Sequence, residues 1–183
     1  YQIPIIRQTA VKDDNTGITF AGGIRTLMRQ DPDVILIGEV RDNETATMTI
    51  RAAMTGHLVF TTLHTNDSLG VIPRLIDLGI KRAVMAGTII CSIAQRLLRR
   101  LCIHCKEEYT ATKQDCLILG IDPEKPIKLY KHKGCSKCFN TGYRGTIAVY
   151  EILVVDSEID EMIATDSTRK EILKYARSKG FKN

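Results

Sequence analysis

A continuous run of four branched apolar residues, from Val34 to Ile37, sets the tightest limit on the fold. Such a run is typical of a strand buried on both faces, as in a parallel sheet. A second strand of this kind is predicted over residues 57–63. Amphipathic helices are predicted before and between the two strands, over residues 19–29 and from about 42 to 56. This alternation predicts an α/β fold with a mostly parallel sheet.

The rest of the chain continues the pattern until the cysteine-rich stretch. The other predicted elements are a strand and turn over residues 1–12, a helix that begins at 66–68 and ends near 79, an apolar helix over 83–101, a strand over 142–155, and one or two closing helices over 156–178.

Composition narrows the function classes. Hydrophobic residues make up 44% and charged residues 26% of the 183 positions, which suits a folded domain and argues against general disorder. The chain has no Trp, which argues against wide aromatic platforms for single-stranded nucleic acid. The formal charge of +5 permits acidic partners but identifies none. No apolar run approaches the roughly 20 residues needed to span a bilayer.

Glu39 follows the strand Val34–Ile37 almost directly, and Gly38 separates them. Ligands of parallel α/β sheets bind at the carboxyl ends of the strands, where Glu39 is predicted to lie. In a nucleotide hydrolase, a carboxylate there polarises the attacking water or holds the Mg²⁺ shell. The alternative is that Glu39 caps the next helix or pairs with a nearby arginine.

Two histidines, His57 and His64, bracket the second predicted strand. Their odd offset of seven places them on opposite faces of a regular strand, so they are not expected to share one metal ion. His64 is predicted near the ligand edge, where it could hydrogen-bond a γ-phosphate. The alternative is a core histidine at 57 and a polar loop residue at 64.

Taken together, residues 25–42 (RTLMRQDPDVILIGEVRD) and 55–67 (TGHLVFTTLHTND) closely resemble the secretion ATPase superfamily of type II secretion and type IV pilus motors. The first segment is similar to the Walker B box of that family and the second to its histidine box. Residues 94–102 and 142–145 extend the resemblance over nearly the whole chain. It implies that Glu39 is the catalytic glutamate and that His57 and His64 act with it. The basic positions that it implies near the nucleotide or a neighbouring subunit are Arg25, Arg29, Arg41 and Arg74.

The resemblance also implies a RecA-like P-loop core over residues 1–101 that uses ATP with Mg²⁺. It implies a homo-oligomer, a hexameric ring at the cytoplasmic face of the inner membrane, and partners among the inner-membrane secretion or pilus platform proteins, with no specific nucleic acid. The chain opens inside a predicted strand without Met and contains no Gly-Lys-Ser/Thr, so the family's phosphate loop is expected upstream. We therefore expect these 183 residues alone not to hydrolyse ATP.

Four of the six cysteines form two CxxC pairs, Cys102/Cys105 and Cys135/Cys138, which the stretch 106–134 separates. This spacing is typical of a closed, structural Zn²⁺ site with four thiolate ligands. It predicts a zinc-binding subdomain over residues 102–141, followed by a C-terminal strand and helices over 142–183. The family resemblance associates such a tetracysteine insert with assembly motors rather than retraction motors.

Two other functions stay open at this point. The chain could be a zinc-ribbon binding module for nucleic acid or a protein partner, using the lysine-rich stretch 128–137. That hypothesis leaves the segments around Glu39 and His64 without a role. The chain could also be a purely structural or interaction segment of a larger enzyme.

Overall fold

The computed structural model of the chain describes residues 6–11 and 17–182. They form two compact units, one comprising the residues up to Ala94 together with those from Tyr150, and the other running from Gln95 to Val149. We call these the first unit and the second unit. The subdomain boundaries predicted near residues 101 and 141 stay a prediction, and most of the strand predicted over residues 1–12 lies outside the described residues.

The first unit begins with a β–α alternation. Its elements are α1 (Phe20–Leu27), β1 (Val34–Ile37), α2 (Asn43–Met54), β2 (Leu58–Thr61), a 3₁₀ turn (Ser68–Gly70) and α3 (Val71–Asp77). Thr19 and Asp42 cap α1 and α2 through their side-chain oxygens. β1 and β2 pair in parallel, with Val34 opposite Leu58 and Ile37 opposite Thr61. The predicted strands and helices of residues 19–63 are confirmed.

The sheet of the first unit is buried on one face only, so the prediction of a strand buried on both faces is wrong for this chain. Ile35 and Ile37 are buried, whereas Leu36 is 77% exposed. Phe60 on β2 is also exposed. Helices α1 and α2 contact the strands and supply the neighbours of the buried face. The continuous apolar run therefore predicted the strand correctly but not its surroundings.

The apolar helix predicted over residues 83–101 is wrong. A short helix α4 (Arg82–Met85) ends before Gly87, whose φ of 74° is outside the helical region. The chain then forms the strand β3 (Cys91–Leu101), which pairs with β6 (Tyr143–Val154). The partner strand belongs to a much later part of the chain, and pairing over such a distance overrides local helical periodicity.

The chain ends, as predicted, with a strand and two helices. After β6 come α6 (Ser157–Ala164) and α7 (Arg169–Ser178). Asp156 caps α6, and Thr168 with Glu171 forms a reciprocal capping box on α7. The apolar faces of both helices belong to the same core cluster as the buried face of β1.

The second unit holds a small antiparallel pair. Its elements are β4 (Glu107–Thr110), α5 (Lys113–Leu119), β5 (Lys128–Lys131) and a 3₁₀ turn (Ser136–Cys138). β4 and β5 pair antiparallel, with Glu107 opposite Lys131. The chain is thus a mixed α/β protein, with parallel pairing between β1 and β2. Among residues 6–11 and 17–182, no helix combines the length and the apolar character that crossing a membrane requires.

Candidate functional site

Glu39 lies at the centre of a charged cluster at the carboxyl ends of β1 and β2. Its Oε2 accepts from Arg41 Nε at 2.7 Å and lies 3.1 Å from His64 Nε2. Arg41 and His64 are largely exposed, whereas the Glu39 side chain is only 21% exposed. The structure therefore brings together two residues that are 25 positions apart in the sequence, at the edge where ligands of parallel sheets bind.

The backbone beyond the two strands fixes this edge. Val40 N donates to Thr62 O at 3.0 Å, and Thr62 Oγ1 donates to Gly38 O at 2.8 Å. His64 has a left-handed backbone with φ of 50°, which turns the chain out of the strand direction. The parallel register and these two bonds together place the His64 ring beside the Glu39 carboxylate.

The ionisation of Glu39 follows from these contacts. Partial desolvation acts to raise the pKa of Glu39, but the hydrogen bonds from His64 and Arg41 outweigh it, so the net shift is downward. The carboxylate is therefore an anion at neutral pH. An anion held on one oxygen by two neighbours can accept a proton or a hydrogen bond from a water molecule.

Two threonines at the end of β2 were missed by the sequence analysis as parts of the site. Thr62 supplies the side-chain bond to Gly38 described above. Thr61 Oγ1 is a buried side-chain oxygen without a hydrogen-bond partner among the described residues. The signal in the sequence was a pair of hydroxyl residues at the carboxyl end of a predicted strand, where polar groups face ligands.

His57 lies at the opposite end of β2 from His64. Its Nδ1 is 2.9 Å from Ala52 O and 3.0 Å from Thr55 Oγ1. A proton placed on Nδ1 would be donated to Ala52 O, which ties the start of β2 to the end of α2. The structure does not bring His57 to Glu39, and its assignment to the catalytic set stays a prediction.

The four predicted arginines occupy different surroundings. Arg41 contacts Glu39, and Arg25 Nη2 pairs with Glu44 Oε1 at 3.3 Å between α1 and the first turn of α2. Arg29 is exposed just after α1, and Arg74 is half-buried in the last turn of α3. Only Arg41 of this set contacts Glu39 or His64 within the described part of the chain. The nucleotide-facing role of all four stays a prediction.

The second candidate site is the four-cysteine cluster of the second unit. The sulfurs of Cys102, Cys105, Cys135 and Cys138 all lie within 4.8 Å of one another. The separation is 4.0 Å for Cys102–Cys135 and 3.8 Å for Cys105–Cys138. All four are free thiols, because a disulfide requires an S–S distance of about 2.05 Å.

The geometry of the cluster fits a tetrahedral ion. Four sulfurs at about 2.3 Å from a central Zn²⁺ would be separated by about 3.8 Å, close to the distances observed. Each CxxC pair bends around its own knuckle, and Cys102 N donates to Gly142 O at 2.9 Å, which ties the first knuckle to the segment after the second. The four thiols could thus hold a metal ion.

The protonation of the thiols differs across the cluster. Desolvation acts to raise the pKa of Cys138, but backbone N–H donors from Cys135 and Gly142 outweigh it and lower that pKa to about 6. Desolvation and the neighbouring sulfurs raise the pKa of Cys105 to about 11. At neutral pH, Cys138 would therefore meet a metal ion as a thiolate, whereas Cys105 would release a proton when it binds the metal.

The chain is similar to known secretion proteins over its whole length. The family model described as "Type II/IV secretion system protein" matches residues 1–183. Type II secretion system protein E of Pseudomonas aeruginosa is 43% identical over 180 residues, which are 98% of this chain and 36% of that protein. The type IV pilus assembly ATPase PilB of Thermus thermophilus is 44% identical over 184 residues, covering 100% of this chain and 21% of PilB. The chain thus spans about a third or less of these relatives.

Solved structures agree on the fold. The pilus retraction motor PilT with bound ADP aligns with a TM-score of 0.54 and 26% identity, over 93% of this chain and 43% of PilT. The ATPase DotB of Legionella pneumophila aligns with a TM-score of 0.56 over 92% of this chain and 36% of DotB. At 24% identity, DotB supports the fold alone. The match over all 183 residues and the two relatives at 43% and 44% identity show that this chain belongs to the type II/IV secretion system protein family.

Proposed function

We propose that the chain is part of the hydrolytic core of a motor ATPase that drives pilin or pseudopilin assembly. The observation that carries the proposal is the contact of Glu39 with His64 and Arg41 at the carboxyl ends of two adjacent parallel strands. In this proposal, Glu39 accepts a hydrogen bond from the attacking water. His64 links that carboxylate to the γ-phosphate, so the ring senses whether hydrolysis has occurred.

The nucleotide would be held largely by residues outside this chain. Bound Mg-ATP supplies the phosphoryl group and its charge-neutralising cation. The chain has no Gly-Lys-Ser/Thr sequence, so the backbone cradle for the phosphates has to come from another segment. The isolated 183 residues are therefore proposed to be inactive. Arg25, Arg29, Arg41 and Arg74 are proposed to face the nucleotide or a neighbouring subunit.

The cellular setting is proposed from the family. The intact protein would form a hexameric ring at the cytoplasmic face of the inner membrane, where it would act on platform proteins of a secretion or pilus system. The four-cysteine cluster would hold a structural Zn²⁺, which favours an assembly motor over a retraction motor. The names of the relatives at 43% and 44% identity refer to type II secretion and pilus assembly, in agreement with this proposal.

The test compares ATP turnover by the intact protein, by the isolated chain and by variants of the intact protein. Glu39→Gln keeps the shape of the side chain but removes its negative charge, and we expect kcat to fall about 100-fold or more. Glu44→Gln is the matched control, because Glu44 is an exposed carboxylate paired with Arg25 rather than with His64. Turnover by Glu39→Gln within a few fold of the wild type would refute the assignment. Turnover by the isolated chain well above background would refute its proposed inactivity.

A second candidate function is supported by the charge of the second unit. Residues 95–149 contain 11 lysines and arginines and 5 acidic residues, a formal charge of +6, whereas the remaining residues carry −1. Such a concentration suits an anionic partner, including nucleic acid. Binding of duplex DNA by the chain, with affinity falling steeply with salt, would support this function. Absence of binding at low salt would leave the motor as the proposal.

A further inference from the structure

The loop that carries His64 is held at its far end by the C-terminal helix α7. Asp67, three residues after His64, pairs through Oδ2 with Arg169 Nη2 at 2.9 Å. Its other oxygen, Oδ1, accepts from Gly70 N at 2.9 Å and caps the 3₁₀ turn. Arg169 is the first residue of α7 and lies 102 positions away in the sequence. One aspartate thus joins the His64 loop, the turn that follows it and the C-terminal helix.

Ser68, the residue after Asp67, is held by a side chain of β6. Ser68 is fully buried, and both its N and its Oγ donate to Glu151 Oε2, at 3.1 and 3.3 Å. The near end of the loop is fixed by the bonds of Thr62 to Gly38 and Val40. His64 therefore lies in a short segment that is anchored at both ends, and the two far anchors come from β6 and α7.

The charges at the far anchor favour a persistent contact. The hydrogen bond from Arg169 lowers the pKa of Asp67, and the same bond raises the pKa of Arg169. Both groups stay ionised over a wide pH range around neutrality. Asp67 is partly shielded, whereas Arg169 is about half exposed, so the contact can open without disrupting the core. An exposed ion pair at the start of a helix is well suited to be made and broken.

We propose that Asp67 and Arg169 are positioning residues that hold His64 against Glu39 and couple the position of α7 to the catalytic edge. When Arg169 holds Asp67, the loop keeps the His64 ring 3.1 Å from the Glu39 carboxylate. A displacement of α7 that withdraws Arg169 removes one of the two far anchors, and the ring can then move away from the carboxylate. The position of α7 thereby controls the contact between His64 and Glu39. Only the effect of this control on ATP hydrolysis rests on the proposed function.

A spectroscopic test uses the 183-residue chain itself, without nucleotide. In the wild type, we expect nuclear Overhauser effects between the His64 ring protons and the Glu39 methylene protons. Arg169→Ala and Asp67→Asn are each expected to weaken them. Asp67→Asn keeps an oxygen that can cap the 3₁₀ turn, so it separates the ion pair from the cap. Lys170→Ala is the matched control, because it removes the adjacent exposed cation of α7 but leaves Arg169 in place.

A kinetic test uses the intact protein. Arg169→Ala is expected to lower kcat about two- to fivefold, the range that loss of an exposed ion pair permits, with the KM for ATP changed less than twofold. Arg169→Lys should recover part of kcat, because a lysine can still reach the aspartate. A merely structural role would lower thermal stability without separating kcat from KM.

The two tests separate the inference from the proposed function. If the intact wild type does not hydrolyse ATP, the proposed function fails while the spectroscopic test still decides whether α7 holds His64. If the His64–Glu39 effects are unchanged in both Arg169→Ala and Asp67→Asn, the positioning role is refuted. Weakening by Lys170→Ala to the same extent would also refute it, because the effect would then not depend on the ion pair.

Discussion

The Glu39 edge and the four-cysteine cluster are assembled in different ways, although both join distant parts of the chain: Glu39 and His64 are 25 positions apart, and Cys102 and Cys135 are 33 positions apart. Each CxxC pair is made by a single short knuckle, and backbone N–H groups of Cys135 and Gly142 point at the Cys138 sulfur. The Glu39 edge needs the parallel pairing of β1 with β2 before His64 can reach the carboxylate. Short-range spacing therefore places the two sulfurs of each CxxC pair, whereas Glu39 and His64 meet only through the pairing of the two strands that precede them.

The two sites also differ in how firmly their groups are held. The cysteine sulfurs lie in or near the interior of the second unit, with Cys102 and Cys138 buried. At the Glu39 edge, by contrast, the His64 side chain is 71% exposed. A site whose partners are exposed can change its contacts during a reaction cycle, whereas a closed set of four thiols suits a permanent structural role.

Removal of one cysteine of the cluster should lower the stability of the protein more than any substitution at the Glu39 edge. Cys135→Ser should abolish metal binding by the cluster and expose residues 95–149 to amide hydrogen exchange, while the strands of the first unit stay protected. A structural zinc site contributes on the order of 10 kcal/mol, far more than any single contact at the Glu39 edge. The measurement is elemental analysis combined with residue-resolved hydrogen exchange.

The control for this variant is Cys91→Ser, since Cys91 is an exposed free thiol outside the cluster. It should leave both metal content and exchange unchanged. Wild-type chain without metal and with six reactive thiols would contradict the structural zinc site. It would also contradict the conclusion that the cysteine cluster is held more rigidly than the Glu39 edge.

The second test substitutes each of the two histidines that bracket β2. Its expected effects are smaller than the loss of stability in Cys135→Ser and larger than the pH dependence of the Glu39 contacts. In the intact protein, His64→Ala is expected to lower kcat about 10- to 100-fold, because it removes the neighbour of Glu39 at the ligand edge. His57→Ala removes a ring that is hydrogen-bonded to the backbone of Ala52, so about 1 kcal/mol of stability should be lost. The change in kcat should be smaller than in His64→Ala. Steady-state kinetics and denaturant unfolding of both variants give the answer.

The two histidine variants serve as controls for each other, because the substitution is the same at both ends of one strand. Equal losses of kcat would show that His57 also acts in catalysis, as the family resemblance implies. An unchanged kcat in His64→Ala would contradict the proposed role of the Glu39–His64 contact.

The pH dependence of the Glu39 contacts should be the weakest of these effects. Because the pKa of Glu39 is lowered on folding, its contacts with His64 and Arg41 stabilise the chain above the ordinary glutamate pKa of about 4.3. That stabilisation is lost as the pH falls through the lower folded-state pKa. Wild type and Glu39→Gln should therefore differ in unfolding midpoint at pH 6 and converge toward pH 3.

The difference in midpoint should be small, since the partners of Glu39 are exposed to solvent and salt. Glu44→Gln provides the reference for a generic loss of one carboxylate. A difference between wild type and Glu39→Gln that grows as the pH falls would contradict the lowered pKa and the contacts that cause it.

Sequence reasoning predicted the fold correctly where the signal was local. The strand ending before Glu39 and the closing helices were predicted from short-range patterns and confirmed. It failed over residues 83–101, where apolar residues suit either a helix or a strand and pairing with β6 decides the outcome. It also missed that one face of β1 is exposed, because an apolar run does not show what covers it.

The order of residue types was enough to specify which groups the chain offers: a carboxylate after a strand, a histidine after the next strand, and two knuckles of cysteines. Those features depend on residues within a few positions of one another, where backbone preferences and fixed spacings act directly. The contact of His64 with Glu39, and that of Arg169 with Asp67 across 102 positions, became visible only in the folded chain. Contacts of that range depend on the packing of the whole first unit, which no local pattern encodes.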